Sequence, residues 1–284
     1  MDPSVNFIRE GEGAPVILIH GLAGSIFDWA EHIPALVSAG YSVYVLDLLG
    51  HGQSIKPKEL SQYHIDHLFA HLGGWIDSLQ LAQAPILIGH SLGGYLAIKY
   101  ALLYPDRVRA LVLADAFYSL DQLSPLLRFH YKRPRVNLGL ISYAPEWAIR
   151  LAIELGRRLI SNGYSAPRSR SGRARTAKDY KRASPGIYNI LSTAEDLTPS
   201  LSQIKTPALI IWGARDQSLY PSSFETLATA LPGARTAMLD AGHVPHQTHP
   251  AEFNAEVLAF LRSLEPSHGP AGLSIECLRR KPFP

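Results

Sequence analysis

The sequence ILIGHSLGGYLAIKYALLY, at residues 86–104, decides the fold. It begins with a short apolar run typical of a buried strand, and after Ser91 it continues as a segment apolar almost all round, typical of a buried helix. Between the two lies the pattern G-x-S-x-G, in which Gly89 and Gly93 leave room for a sharp turn at the serine. Such a turn lifts the hydroxyl clear of the backbone at the positive end of a helix, which favours a developing anion. We therefore predict that Ser91 is a nucleophile.

The chain on either side of this turn alternates between strand and helix patterns. Most strand candidates are continuous runs of Val, Ile and Leu, which is typical of strands buried on both faces. Strands that alternate with helices predict an α/β fold with a mostly parallel central sheet and helices on both faces. The last of these helices is expected to begin at Pro250. The predicted strands are Val16–Ile19, Ser42–Leu48, Ile86–Ile88, Ala110–Ala114, Ala208–Trp212 and Thr236–Leu239.

The alternation breaks between about Phe117 and Ile204. Helix patterns occur there without clear strands, including one at Pro145–Ile160, and the strand pattern resumes at Pro207. An interruption that returns to the same rhythm indicates an insertion. We expect a core made of residues 1–116 and 205–264, a helical cap at 117–204, and an appended tail at 265–284 with four prolines and no periodicity.

Basic residues are concentrated in the second half of the predicted cap. Nine Lys or Arg residues and one acid, Asp179, lie between Arg157 and Arg182. Within this stretch, Ser165–Thr176 is rich in serine, glycine and arginine and is interpreted as a solvated loop. Because Ser165–Thr176 contains no aromatic residue and no nucleic-acid-binding motif is present, we expect no nucleic-acid partner.

The composition excludes several classes of protein. Apolar residues make up 46% of the 284 residues and charged residues 18%, which is too apolar for a disordered chain. No run of about 18 apolar residues occurs, so no membrane span is expected. The single cysteine, Cys277, excludes a disulfide scaffold and fits a reducing compartment, so the expected location is the cytoplasm.

A serine nucleophile needs a base, and the base needs an acid that orients it. Asp216 follows the strand that ends at Trp212, and His243 follows the strand that ends at Leu239. Functional sites of parallel sheets form at these carboxyl ends. The predicted triad is therefore Ser91, Asp216 and His243. Asp115, at the end of an earlier strand, is the alternative acid.

The anion of a tetrahedral intermediate needs hydrogen-bond donors. The glycine-rich sequence HGLAGS at residues 20–25 follows the first predicted parallel strand, and its glycines allow a close approach to the serine turn. The predicted donors are the backbone N–H groups of Leu22 and Leu92.

Five motifs together resemble the α/β-hydrolase family. They are HGLAG at 20–24, DLLGHGQS at 47–54, GHSLGG at 89–94, WGARD at 212–216 and AGH at 241–243. The resemblance runs from about Val16 to Leu264, and the predicted insertion falls where that family carries its lid. It implies the chain order Ser, Asp, His for the triad. It also distinguishes subfamilies, because family members that open epoxides or remove halides use aspartate where this chain has Ser91.

These features predict a serine hydrolase that cleaves carboxylic esters through an acyl-enzyme intermediate. The expected substrate is a small ester with an apolar acyl group, and no metal or organic cofactor is needed. Three alternatives stay open: a carbon–carbon bond hydrolase of the same fold, a perhydrolase with the same triad, and a ligand-binding receptor on a retained hydrolase fold. Aromatic residues of the insertion, including Trp147, either line an acyl pocket or form the core of the cap.

The remaining polar residues are interpreted as structural. Asp47 is expected to anchor its own loop, and His246 and His249 to be loop and helix-cap residues. Although His64, His67 and His71 share a helical face, no matching cluster of acids or cysteines accompanies them, so a solvated face is expected rather than a metal site.

Overall fold

The computed structural model describes residues 4–123 and 170–264, with single residues and short stretches between 125 and 154. A sheet of seven strands runs through the molecule in the order β1-β3-β2-β4-β5-β6-β7. Every neighbouring pair is parallel except β1 with β3. The strands are β1 (Phe7–Glu10), β2 (Ala14–Ile19), β3 (Tyr41–Leu46), β4 (Ile86–His90), β5 (Ala110–Ala114), β6 (Ala208–Gly213) and β7 (Arg235–Leu239).

Six of the seven strands coincide with the predicted runs to within two residues at each end. The strand missing from the sequence analysis is β1, a four-residue antiparallel edge strand that contains Arg9 and Glu10. An edge strand with solvent on one side needs no continuous apolar run, and charged residues there discourage pairing with other chains. Its sequence therefore lacks the signal by which the buried strands are identified.

Helices cover both faces of the sheet, as predicted. Successive strand residues point to opposite layers: Ile17 and Ile19 pack with α2 and α3, whereas Val16 and Leu18 pack with α1 and α7. All residues of α3 from Leu92 to Ala101 are buried, because this helix lies between the sheet and α2. The helices are α1 (Ile33–Ser38), α2 (Ile65–Ser78), α3 (Leu92–Leu103), α4 (Arg170–Arg182), α5 (Ser222–Ala230), α6 (Pro245–Thr248) and α7 (Pro250–Ser263).

The interpretation of Ser165–Thr176 as a loop is wrong for its second half, because Arg170 begins the helix α4. Arginine, lysine and alanine favour helix, and packing fixes the helix to the rest of the molecule. Ala177 and Asp179 are both buried although residues two apart lie on different sides of a helix, and the Arg175 guanidinium lies 3.7 Å from the centre of the Phe27 ring. An interpretation from polarity alone overlooks both helix propensity and these tertiary contacts. Residues 165–169 lie outside the described residues.

The segment that joins β5 to β6 contributes no strand to the sheet in the part that the structure describes. It contains α4 and short 3₁₀ helices, and residues 146–149 of the predicted helix Pro145–Ile160 are helical. Trp147 within it is 67% exposed.

The division into core, cap and tail stays a prediction, and the predicted tail at 265–284 lies outside the described residues. Across the described part of the chain, no helix is both long and apolar enough to cross a membrane.

Candidate active site

The turn at Ser91 joins β4 to α3 in a strained conformation. Its φ of 50° and ψ of −112° lie outside the regions that residues with a side chain normally adopt. The turn is held by the Ser91 N–H, which donates to the Ala114 carbonyl at 3.0 Å, and by the Ser91 carbonyl, which accepts from Phe117 at 3.0 Å. A Cβ atom on Gly89 would collide with the backbone of Gly93, and one on Gly93 would collide with the Ile19 carbonyl of β2, which explains both glycines of the motif.

The structure brings the three predicted triad residues together. His243 Nε2 lies 3.1 Å from Ser91 Oγ, and His243 Nδ1 lies 2.8 Å from Asp216 Oδ2. Asp216 follows β6 and His243 follows β7, so the carboxyl ends of three parallel strands supply the constellation. This arrangement allows a proton to pass from the serine hydroxyl to the imidazole while the carboxylate orients the ring.

Asp216 is buried but well supplied with donors. Its Oδ1 accepts from the backbone N–H groups of Ser218 at 2.7 Å and Leu219 at 3.2 Å, while Oδ2 faces His243. Burial alone would raise the pKa of the carboxyl, but His243 and these backbone donors outweigh burial and lower its pKa below the ordinary value.

Asp115, the alternative acid, lies directly behind the triad. It is fully buried at the end of β5, with a φ of 40°, and its Oδ1 accepts from the Gly213 N–H at 2.9 Å. Burial and the nearby charge of Asp216 raise its pKa well above the ordinary value. The carboxyl that is hydrogen-bonded to His243 is that of Asp216.

The loop that carries Leu22 packs against the serine turn. A Cβ atom on Gly21 would lie 2.7 Å from His90 Nδ1 and 3.3 Å from Ser91 Cβ, so only glycine allows this approach. His20 anchors the loop, because its Nδ1–H donates to the Gly21 carbonyl at 2.7 Å and its Nε2 accepts from Leu48 N–H at 3.0 Å. Leu92, the other predicted donor, is the first residue of α3, where a backbone N–H has no carbonyl in a preceding turn.

Asp47 anchors its surroundings, as expected. Its buried carboxylate accepts from the backbone N–H groups of Ile26 and Gln53, both at 2.8 Å, and from Asn6 Nδ2 at 2.7 Å. It therefore ties the strand end at β3 to the 3₁₀ helix Ile26–Trp29 that follows the Leu22 loop.

Sequence reasoning missed a group of buried histidines beneath the site. His90 Nε2–H donates to the His243 carbonyl at 2.6 Å, and the His90 ring lies 4.4 Å from that of His246. Burial lowers the pKa of His90 to about 3. His246 lies in α6 and His249 stands at the N-terminal boundary of α7, where its predicted cap position holds without a side-chain cap hydrogen bond. The sequence signal that could have revealed this group is the histidine at position 90, inside the G-x-S-x-G motif.

Sequence reasoning also missed two acids beside the Leu22 loop. Ser25 Oγ donates to Asp179 Oδ2 at 2.9 Å, which links the loop to α4. Burial and the charge of Asp179 raise the pKa of Asp28 to about 8. Burial also raises the pKa of Asp179. Asp179 is the lone acid of the basic stretch, and that contrast was the signal that could have marked it.

The histidines on α2 lie away from this site. His64 Nδ1 accepts from the Asp66 N–H, and His71 Nε2 lies 3.0 Å from Ser4 Oγ. Among the described residues, the group of side chains close enough to share a metal ion is Asp115, Asp216 and His243, which belongs to the site above.

Comparisons with known proteins agree with this fold. Residues 14–250 match the profile of the alpha/beta hydrolase fold family. RutD of Pseudomonas savastanoi pv. phaseolicola, named as a carbamate hydrolase, is 32% identical over 87% of this chain and 93% of its own. Bifunctional epoxide hydrolase 2 of Sus scrofa is 41% identical over 37% of this chain, but the match spans only 19% of that protein. The enol-lactonase of Burkholderia xenovorans is 25% identical, with a TM-score of 0.76 over 91% of this chain and 96% of that structure.

Proposed function

Since the chain belongs to the α/β-hydrolase family, whose profile covers residues 14–250, we propose that it is a serine hydrolase that cleaves carboxylic esters through an acyl-enzyme. The observation that carries the proposal is the line of hydrogen bonds from Ser91 Oγ through His243 to Asp216, at 3.1 and 2.8 Å. The strained backbone of Ser91 supports it, because such strain persists at functional sites.

In the proposed reaction, Ser91 Oγ attacks the ester carbonyl while His243 Nε2 takes its proton. His243 then gives this proton to the leaving alcohol. Asp216 holds the imidazole in the correct tautomer and stabilises the imidazolium without itself becoming protonated. Water activated by His243 then cleaves the acyl-enzyme and releases the acid.

The backbone N–H groups of Leu22 and Leu92 are the proposed donors to the tetrahedral oxyanion. The close packing of Gly21 on the serine turn supports a position of Leu22 beside the reacting carbonyl. The start of α3 adds the partial positive charge of a helix N-terminus at Leu92. Removal of one such donor costs about 10²- to 10³-fold in turnover in comparable sites.

Ester cleavage is favoured over epoxide opening. Epoxide-opening members of the family use aspartate as nucleophile, whereas this chain has Ser91. A serine nucleophile attacks acyl carbonyls, which esters, lactones and carbamates all offer. The likenesses to a protein named as a carbamate hydrolase and to an enol-lactonase support this shared acyl chemistry.

The carbon–carbon bond alternative receives less support. Its substrate is an anionic keto-acid, which favours a basic group in the cleft. The acidic residues beside the Leu22 loop include Asp28 and Asp179, and the Arg175 guanidinium is stacked on Phe27. An uncharged ester with an apolar acyl group, reached beneath the segment that joins β5 to β6, suits these surroundings better. The cytoplasmic location stays a prediction.

The test is a panel of nitrophenyl esters from short to long acyl chains, assayed with the wild type and with Ser91→Ala. Ser202→Ala, which changes an exposed serine, is the matched control. We expect multiple turnovers from the wild type and the control, and a loss of about 10⁴- to 10⁶-fold in Ser91→Ala. A folded Ser91→Ala protein with near-normal turnover would refute the proposal, and a wild type that binds esters without turning them over would favour the receptor alternative.

A further inference from the structure

Two buried carboxyl groups lie side by side behind His243. One oxygen of Asp115, one oxygen of Asp216 and one ring nitrogen of His243 lie within 4.8 Å of one another. Asp115 is 0% exposed and Asp216 6%. Two carboxylates this close in the protein interior repel each other strongly, so one of them holds a proton.

The available donors decide which acid is ionised. Asp216 receives hydrogen bonds from Ser218, Leu219 and His243. Asp115 receives one on Oδ1, while its Oδ2 is buried without a hydrogen-bond partner among the described residues. Donors stabilise the ionised form, and a protonated oxygen needs an acceptor instead. The proton therefore belongs on Asp115, and the nearby charged acceptor is Asp216.

We propose that Asp115 is a positioning residue that donates a hydrogen bond from its protonated carboxyl to Asp216, and so holds in place the carboxylate that orients His243. The proposal rests on the proposed function. The spacing within 4.8 Å requires a small adjustment of the Asp115 side chain to close the bond.

The backbone of Asp115 is fixed as a positioning role requires. Its N–H donates to the Ile211 carbonyl at 2.9 Å, and its carboxyl receives the Gly213 N–H, so both groups tie it to β6. Its φ of 40° lies in the left-handed region, which is costly for most residues and least so for glycine, asparagine and aspartate. The strain persists because these contacts over-determine it.

The pKa shifts of the two acids and of the surrounding histidines agree with a proton on Asp115. Burial and the charge of Asp216 raise the pKa of Asp115, whereas the pKa of Asp216 is lowered. His90 from β4 packs against the His243 ring and His246 from α6 packs against His90, and burial lowers the pKa of both, so they are neutral at pH 7. Without the hydrogen bond from Asp115, more of the negative charge of the Asp216 carboxylate would act on His243. This would favour the imidazolium form of His243.

The experiment compares Asp115→Asn with Asp115→Ala in the full chain, using pH profiles of kcat and kcat/KM on a short nitrophenyl ester. Asparagine keeps an acceptor for Gly213 and a neutral donor for Asp216, and it tolerates the left-handed backbone. We expect Asp115→Asn to keep kcat within about threefold, with an unmoved acid limb. We expect Asp115→Ala to lose about 10- to 100-fold in kcat, with little change in KM and the acid limb moved to higher pH.

Three results would overturn the inference. A loss in Asp115→Asn of about a thousandfold or more would make Asp115 an ionised acid of the reaction. An acid limb moved to lower pH in that variant would show that a negative charge had been removed. A normal Asp115→Ala profile would show that no donor is needed.

If Asp115→Ala does not fold, the downfield proton resonance of the His243–Asp216 hydrogen bond decides. We expect this resonance to be unchanged in Asp115→Asn, and a shifted resonance in that variant would contradict the proposal. Activity retained by Ser91→Ala would instead refute the proposed function itself.

Discussion

The carboxyl edge of the sheet and the helix α4 are held in place by different forces. At the sheet edge, Ser91 and Asp216 follow strands buried on both faces, His243 follows the outer strand β7, and backbone hydrogen bonds fix the turns at Ser91 and Asp216. α4 meets the rest of the molecule through the buried Ala177 and through a few polar and charged contacts, among them the hydrogen bond of Ser25 to Asp179 and the stacking of Arg175 on Phe27.

This difference teaches which property each region controls. A reacting centre must hold its groups to within fractions of an ångström, which rigid strand ends provide. A segment held by few contacts can change its position or sequence without loss of the fold. Substitutions at the sheet edge should therefore change the turnover of every ester, and those at the α4 contact should change which esters are preferred.

The largest expected effect comes from the acid at the sheet edge. Asp216→Asn should lower kcat by about 10⁴-fold on every ester, because the amide favours the wrong imidazole tautomer. Asp240→Asn, at an exposed aspartate paired with Arg215, is the matched control and should stay near wild type. The measurement is kcat across the ester panel. A loss of kcat in Asp216→Asn that is confined to long esters would contradict the distinction between the two regions.

The next effect concerns stability at the same edge. Asp47→Ala removes three hydrogen bonds from a buried carboxylate and leaves the Ile26 N–H without its acceptor. The free energy of unfolding should fall by about 3 kcal/mol. Urea denaturation measures it, with the exposed Asp121→Ala, whose aspartate pairs with Arg128, as the control. Equal midpoints for the two variants would contradict the anchoring role.

A smaller effect is expected where α4 meets the Leu22 loop. Ser25→Ala removes the donor to Asp179 and the cap of the 3₁₀ helix Ile26–Trp29, at a cost of about 1 kcal/mol. The ratio of kcat/KM for long and short esters should change more than kcat for the shortest one. Ser202→Ala should leave the ratio unchanged. If Ser25→Ala instead lowers kcat/KM equally for all esters, this contact belongs functionally to the sheet edge.

The last prediction concerns the pH dependence of stability. The pKa of Asp28 is about 8 in the folded protein, above its ordinary value of 3.8. The folded state therefore binds a proton that the unfolded state has released, so stability falls as pH rises from about 4 to 8. Asp28→Asn removes this loss, and its Tm relative to wild type should increase from pH 5 to pH 8. A constant difference in Tm would contradict the assigned shift.

The sheet and the serine turn could be predicted because their causes are local. Buried parallel strands require apolar runs, and the turn at Ser91 requires glycine at positions 89 and 93. The edge strand β1 and the helix α4 could not be found in the same way. Tertiary contacts fix both of them, and neither has a continuous apolar face in sequence.

The geometry of the site was predictable only in part. Strand order brings Asp216 and His243 to the edge that carries Ser91, and the motifs mark all three. The interpretation of Asp115 needed the number of donors around each carboxyl, which depends on atoms far apart in sequence, such as Gly213 N and Asp115 Oδ1. The link of Ser25 to Asp179 spans 154 positions and had no local signal.

The central claim is that Ser91 carries the acyl group during turnover. Rapid acid quench of the wild type with a nitrophenyl ester, followed by peptide mass mapping, tests it directly. The account predicts an added acyl mass on the peptide that contains Ser91, formed at the rate of the nitrophenol burst and absent from Ser91→Ala. An acyl adduct on a different residue, or steady turnover with no adduct at any quench time, would contradict it.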